Sequence, residues 1–301
     1  MQVVDPHVHF WDLDTHRYPW LANPGTSFVG DARELKHNYL PADLIAEAGD
    51  IEVLKVVHVE ANHDPEDPVE ETRWLQSIAD KAAQAGETPA LPDAIVAACD
   101  LSAESAPAVL EKHADFSRTR GIRQILNVHA NPLYDYVGRH FMREAKWQAH
   151  FALLERYGFS FDLQLYPSQM EEAAALARAH PGIEFIVNHA GMFVDRNSAA
   201  GWRAWREGLR ALSSCRNVSI KISGLAMFDH AWSRESLRPY VLETIDAFGA
   251  ERAMFASNFP VDRLFGGYAK LWHAYASIMS DASEAEKAAL FRTNAERVYR
   301  I

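Results

Sequence analysis

Apolar residues in this chain gather in short runs separated by longer amphipathic stretches. The runs cover 3–10, 53–59, 94–100, 122–127, 160–165, 185–188, 218–225 and 253–257. Each is rich in Val, Ile or Phe and bounded by Gly, Pro, Asp or Asn, the pattern of a buried strand. Helix-length segments lie between them. The one at 68–86 carries Val69, Trp74, Leu75 and Ile78 near helical spacing and ends at a glycine. That at 169–180 runs into Pro181-Gly182, a stop signal, and 198–212, 233–248 and 282–298 have the same period. Strands of nearly continuous apolar character that alternate with helices predict a parallel sheet covered on both faces. The count of eight predicts a closed (β/α)8 TIM barrel, a single α/β domain across 1–301, and no low-complexity tract or linker interrupts it.

A barrel of this kind carries its chemistry at the C-terminal ends of its strands, and polar residues gather there. The first run closes Asp5-Pro6-His7-Val8-His9, where His7 and His9 share a face because strand side chains alternate. Two such imidazoles suit a divalent metal, zinc above all, or are histidines satisfied by backbone partners. The second closes His58-Val59-Glu60, which puts His58 and Glu60 on one face. A buried Glu60 must meet a metal, a cation or water, as ligand, general base or salt-bridge partner.

Arg123 opens the fourth run, either as a clamp on a substrate carboxylate or carbonyl or as an ion-pair residue at the barrel bottom. Asp162, Gln164 and Tyr166 alternate on the fifth, and His189 closes the sixth as ligand, acid or base. Lys221 and Ser223 share a face of the seventh, where Lys221 is expected to touch substrate. The eighth ends Ser257-Asn258-Phe259-Pro260-Val261-Asp262, and Trp11, after the first strand, is placed to wall a pocket.

Charge and composition remove other functions. The 41 acidic residues outnumber the 30 basic ones, for a net charge of −11, which argues against nucleic acid as a partner. No run approaches the roughly 18 apolar residues of a membrane helix, and no basic, apolar leader opens the chain, so a cytoplasmic protein that does not bind membrane is expected. Two cysteines are too few for a disulfide framework or a thiolate zinc site. Of 14 histidines, His7, His9, His58 and His189 close strand runs.

These residues in this order resemble the amidohydrolase superfamily, specifically the amidohydrolase-related TIM-barrel hydrolases that include sugar and dicarboxylate lactonases. The resemblance spans the chain. It rests on Asp5-Pro6-His7-Val8-His9-Phe10-Trp11-Asp12, Gly121-Ile122-Arg123, Phe161-Asp162-Leu163, His189-Ala190-Gly191 and Lys221-Ile222-Ser223-Gly224. Ser257-Asn258-Phe259-Pro260-Val261-Asp262 and Asn294-Ala295-Glu296-Arg297-Val298-Tyr299 complete it. It implies metal ligands at His7, His9 and His189, and an aspartate at position 258 that takes the proton from the attacking water.

Here position 258 is asparagine, which cannot ionise. The base is then Glu60 or Asp262, or hydrolysis is lost; Glu60 is preferred because it would complete an open zinc site with His7 and His9. The resemblance implies a hydrolase that opens a lactone or related cyclic carbonyl compound. Arg123, Lys221, Gln164 and Trp11 would bind a small substrate, an anionic one included. A metal-independent hydrolase, a metal-dependent decarboxylase and a non-catalytic binder are the alternatives, and a homo-oligomer is compatible with all of them.

Overall fold

The computed structural model describes residues 1–23 and 28–301. Eight strands form one sheet in chain order: β1 (Gln2–Val8), β2 (Glu52–Val59), β3 (Ala94–Ala98), β4 (Thr119–Ile125), β5 (Ser160–Gln164), β6 (Phe185–Val187), β7 (Val218–Ile222) and β8 (Ala253–Phe255). Every neighbouring pair is parallel. The barrel closes just beyond β8, where Asn258 N–H donates to His7 O at 2.9 Å and His9 N–H donates to Phe259 O at 2.7 Å. The (β/α)8 barrel expected from the pattern is therefore the fold. Most of its strands end before their apolar runs do, because the polar residues at the mouth leave the ladder to face the barrel axis.

Alternation sorts the strand residues into two cores. Val56, Ile95, Ile122, Phe161, Ile220 and Phe255 pack outward under the helices. Val4, Val57, Val59, Val96, Ile186 and Met254 form a separate inner cluster with Val298 and Tyr299 of the helix Asn294–Tyr299. The surrounding helices begin at sequence-coded caps, such as Ser198, whose side chain accepts from Gly201 N–H, and Pro41 at the first turn of the helix Pro41–Ala48. Among the described residues, no helix is long and apolar enough to cross a membrane.

Three sequence expectations change here. The stretch 282–298 is not one helix, since a π-helical turn over Ala289–Thr293 separates Glu284–Ala288 from Asn294–Tyr299. Asn294 fixes the last piece by donating to Ala250 O and Ala253 O at 2.6 and 2.7 Å. Arg123 lies inside β4 and not at its start, so it points into the barrel well above the bottom. His58 does not share a face with Glu60. With Val57 and Val59 inside, His58 points outward, stacks on Phe10, accepts from Phe10 N–H and lies 3.6 Å from Glu71.

Tyr299 enters the barrel from below, and its hydroxyl lies 3.1 and 3.0 Å from the two carboxylate oxygens of buried Asp162. Replacing it by Phe leaves that carboxylate short of a donor. Tyr299→Phe is expected to lower stability by about 1–3 kcal/mol, read from urea unfolding. An unchanged midpoint would remove this bond from the stability of the barrel.

Candidate active site

The site is built on the seam between β1 and β8. Asp5 accepts from His7 N–H (3.2 Å) and Ser257 N–H (3.0 Å) through Oδ1, and from the Tyr268 hydroxyl (3.0 Å) through Oδ2. It thereby locks the strand that carries both histidines to the segment that carries Asn258. Burial pushes its carboxyl up to about 6 despite those donors. Sequence reasoning assigned Asp5 no role, although a lone acid two positions before a histidine in an apolar strand was the available signal.

His9 donates from Nδ1 to Val59 O at 2.7 Å. A carbonyl only accepts, so the proton sits on Nδ1. Burial, and then the Arg123 cation, hold this imidazole well below its ordinary pKa of 6.5. His9 is therefore neutral with a lone pair on Nε2, and the ring faces Asn258. His7 and His189 are likewise kept neutral, by burial first and then by nearby Lys221 and Arg123. The His7 ring lies 5.0 Å from that of His9 and 4.5 Å from that of His189, centre to centre.

Two buried ion pairs flank these rings. Arg123 donates from Nε to Glu60 Oε1 (2.6 Å), from one Nη to Glu60 O (2.6 Å) and from the other to Gln164 Oε1 (2.9 Å). Three of its five N–H groups are thus committed, leaving two for a ligand. The second oxygen of Glu60 accepts from Asn62 N–H at 2.8 Å. Lys221 Nζ lies 2.5 Å from Asp162 Oδ1 and 3.3 Å from His7 Nδ1, and burial lowers its pKa to about 8. Asp162 also accepts from Asn188 Nδ2 at 2.9 Å.

The strand ends that complete the site are conformationally unusual. His189 (φ 56°), Asn258 (φ 61°) and Asn62 (φ 53°) all adopt the left-handed region. That is costly for histidine, and such conformations concentrate at functional sites. His189 Nδ1 lies 2.9 Å from Ser223 Oγ. A Cβ on Gly224 would come within 2.6 Å of that nitrogen, so this position must be glycine on spacing as well as on its φ of 60°. Asn258 donates from Nδ2 to Asp262 Oδ1 at 2.8 Å, and burial raises the Asp262 carboxyl to about 8.

Above this floor opens a cavity of about 270 Å³, lined by His9, Arg123, Gln164, His189 and Asn258 among others. These five meet there as expected. Three expected contacts do not. Lys221 is fully buried beneath the floor and is held by Asp162. Trp11 is fully buried, donates to His37 O and packs edge-on behind Trp20, which itself lines the cavity. Asp262 is buried behind Asn258, whose amide donates to it.

The expected metal set of His7, His9, Glu60 and His189 is not assembled either. Among the described residues, no three His, Cys, Asp or Glu side chains form a group that could hold a metal ion. The physical reason is charge. Glu60 and Asp162 are paired with buried cations, Asp5 is committed to the His7 and Ser257 N–H groups and the Tyr268 hydroxyl, and position 258 supplies a neutral amide. Neutral imidazole is the ligating form of histidine, and among the described residues His7 Nε2 is buried without a partner, but an ion here would sit beside Arg123 and Lys221 with Glu60 committed to Arg123.

Because Gly224 makes room for His189, Gly224→Ala is expected to displace that ring and lower turnover about 10²-fold, with a folded far-UV spectrum retained. Wild-type turnover in this variant would show that the His189 position is not critical.

Residues 4–301 match the family described as amidohydrolase. The chain is similar to the uncharacterized protein y4mH of Sinorhizobium fredii, with 42% identity over 99% of this chain and 98% of that protein. It is 30% identical to an L-fucono-1,5-lactonase of Burkholderia multivorans, over 99% of this chain and 96% of the relative. A crystal structure of an amidohydrolase from the same species with bound zinc superimposes over both whole chains, with a TM-score of 0.80 and 25% identity. With the barrel, the strand-end site and these likenesses in agreement, the chain belongs to the amidohydrolase family and is a hydrolase.

Proposed function

We propose that this hydrolase opens a lactone or a related cyclic carbonyl compound by attack of water at the floor of the cavity. The observation that carries the reading is the pairing of a proton acceptor with free donors across one small space. His9 has its tautomer set by the Val59 carbonyl and offers a neutral Nε2. Arg123 faces the same cavity with two uncommitted N–H groups, and Gln164, whose Oε1 is held by Arg123, offers its amide Nε2.

The steps follow from those positions. The ester carbonyl lies against Arg123 and Gln164, which stabilise the oxyanion as it forms. His9 Nε2 takes the proton from water, and the carboxamide of Asn258, anchored by Asp262, holds that water in place. As the tetrahedral intermediate collapses, the His9 imidazolium passes that proton to the departing ring oxygen, while His189, with Ser223 donating to its Nδ1 across 2.9 Å in this scheme, holds the oxyanion through Nε2–H. The Arg123–Glu60 pair has no net charge in the ground state, which favours a developing oxyanion over a fully charged substrate.

The likeness to a lactonase supports the substrate type. Metal dependence is typical of the wider superfamily, but the donor set of this chain does not fit a metal, and no step here uses one.

His9→Ala is expected to reduce kcat on a lactone by about 10²–10⁴-fold with little change in KM. His58→Asn, outside the barrel, should leave kcat unchanged. Equal loss in both would deny His9 its role. Dialysis against a strong chelator is expected to keep turnover within about twofold, with metal well below one equivalent by elemental analysis. Lost activity that zinc restores would return the reaction to a metal.

A further inference from the structure

The walls of the cavity bear on what the substrate carries around its reacting carbonyl. Its chemically active groups, His9, Arg123, Gln164, His189 and Asn258, belong to the strand ends that make the floor. The walls above are Trp20, Phe28, Leu35, Met192, Met227 and Val261. Met192 and Met227 form a buried cluster with Tyr166, and their flexible thioethers adapt to flat or irregular apolar shapes.

Several polar atoms on those walls are already engaged. Trp20 Nε1 donates to Ala61 O at 2.8 Å, Asn62 Nδ2 donates to the Tyr136 hydroxyl at 3.3 Å, and Asn127 Nδ2 points to Met192 Sδ at 3.4 Å. Among the described residues, Asn127 Oδ1 and the Tyr166 hydroxyl are the wall atoms buried without a partner. The remaining polar liner, Asn23, is exposed. A sugar lactone bears hydroxyls on nearly every ring carbon, and each must replace its bond to water on entry. Among the described residues, five polar side chains, Asn23, Asn62, Asn127, Tyr136 and Tyr166, stand among ten apolar liners, too few to replace the water of every hydroxyl. Charge gives the same answer, because both cations near the cavity floor are already neutralised by Glu60 and Asp162.

We infer that the substrate is an uncharged lactone with an apolar body, an aryl or alkyl ring system carrying at most one or two polar substituents, and not a polyhydroxylated sugar lactone. The inference rests on the hydrolase reading above and sharpens it. The cavity of about 270 Å³ holds one or two fused rings, and the floor engages the ester while the walls exclude water from the rest. The substrate class thus departs from the one for which the similar Burkholderia lactonases are named.

Matched lactones test this on the full-length protein. Dihydrocoumarin and δ-nonalactone are expected to show kcat/KM at least about tenfold above glucono-δ-lactone and fucono-lactone. Val261→Asn, which adds an amide to a half-buried wall position, should lower kcat/KM for dihydrocoumarin about tenfold through KM, with an unchanged melting temperature. Preference for the sugar lactones would overturn the inference and leave the hydrolase reading standing. Hydrolysis of neither class would overturn the hydrolase reading instead. The non-hydrolysable lactams then decide the cavity on their own by calorimetry. Binding of dihydroquinolinone with a negative heat-capacity change, in preference to gluconolactam, supports the apolar class, and the reverse order overturns it.

Discussion

The architecture of the site depends on one buried carboxylate. Asp162 projects from β5 into the middle of the barrel, where an uncompensated charge would cost several kcal/mol. It is tolerated because three elements converge on it: Lys221 from β7, Asn188 just past β6, and Tyr299 from the helix that plugs the barrel from below. Those bonds tie the strands to one another and to the plug. They also hold Lys221 against His7, which in turn lies under His9 and His189. The floor of the cavity is thus supported by charges that never touch a ligand.

The second ion pair follows the same rule with a different result. Glu60 and Arg123 are each about 4% exposed, and their contact absorbs both the carboxylate and part of the guanidinium. A free Glu60 would be a ligand for a cation or a base for water. Bound to Arg123 it is neither, and it instead aims the remaining donors of Arg123 at the cavity. Neutral imidazoles follow from this, since an added proton would sit beside two cations in a dry site. The proposed reaction therefore needs a site that is balanced in charge before substrate arrives and that stabilises negative charge only as it develops.

Asn258 shows how a change of one atom type spreads. An aspartate there would lie within hydrogen-bond distance of Asp262 as a second buried acid, and the two could not both ionise. As an amide, Asn258 gives Asp262 a donor and keeps a polar group at the cavity, while its left-handed φ of 61° is one that asparagine adopts more readily than most residues. In the proposed mechanism the two positions divide the work: Asp262 anchors the amide, and the amide holds the water.

Much of this was legible in the chain itself. Period and composition determined eight strands, their order and the barrel, because a strand buried on both faces has few sequences that look otherwise. Strand-end position also picked out His9, His189 and Asn258, and Arg123 and Gln164 stood out as polar residues within apolar runs, which have little reason to be there except a site. Partnership was not legible. The same i, i+2 logic that paired His7 with His9 misplaced His58, because which face of β2 turns inward is set by its neighbours. Lys221, Trp11 and Asp262 have the residue types of substrate contacts and were drawn off by Asp162, His37 and Asn258, which meet them only in the folded barrel. A sequence records which groups are able to bind, but not that Lys221, Trp11 and Asp262 are claimed by groups 59, 26 and 4 residues away along the chain, and only the tertiary structure decides which groups are left free.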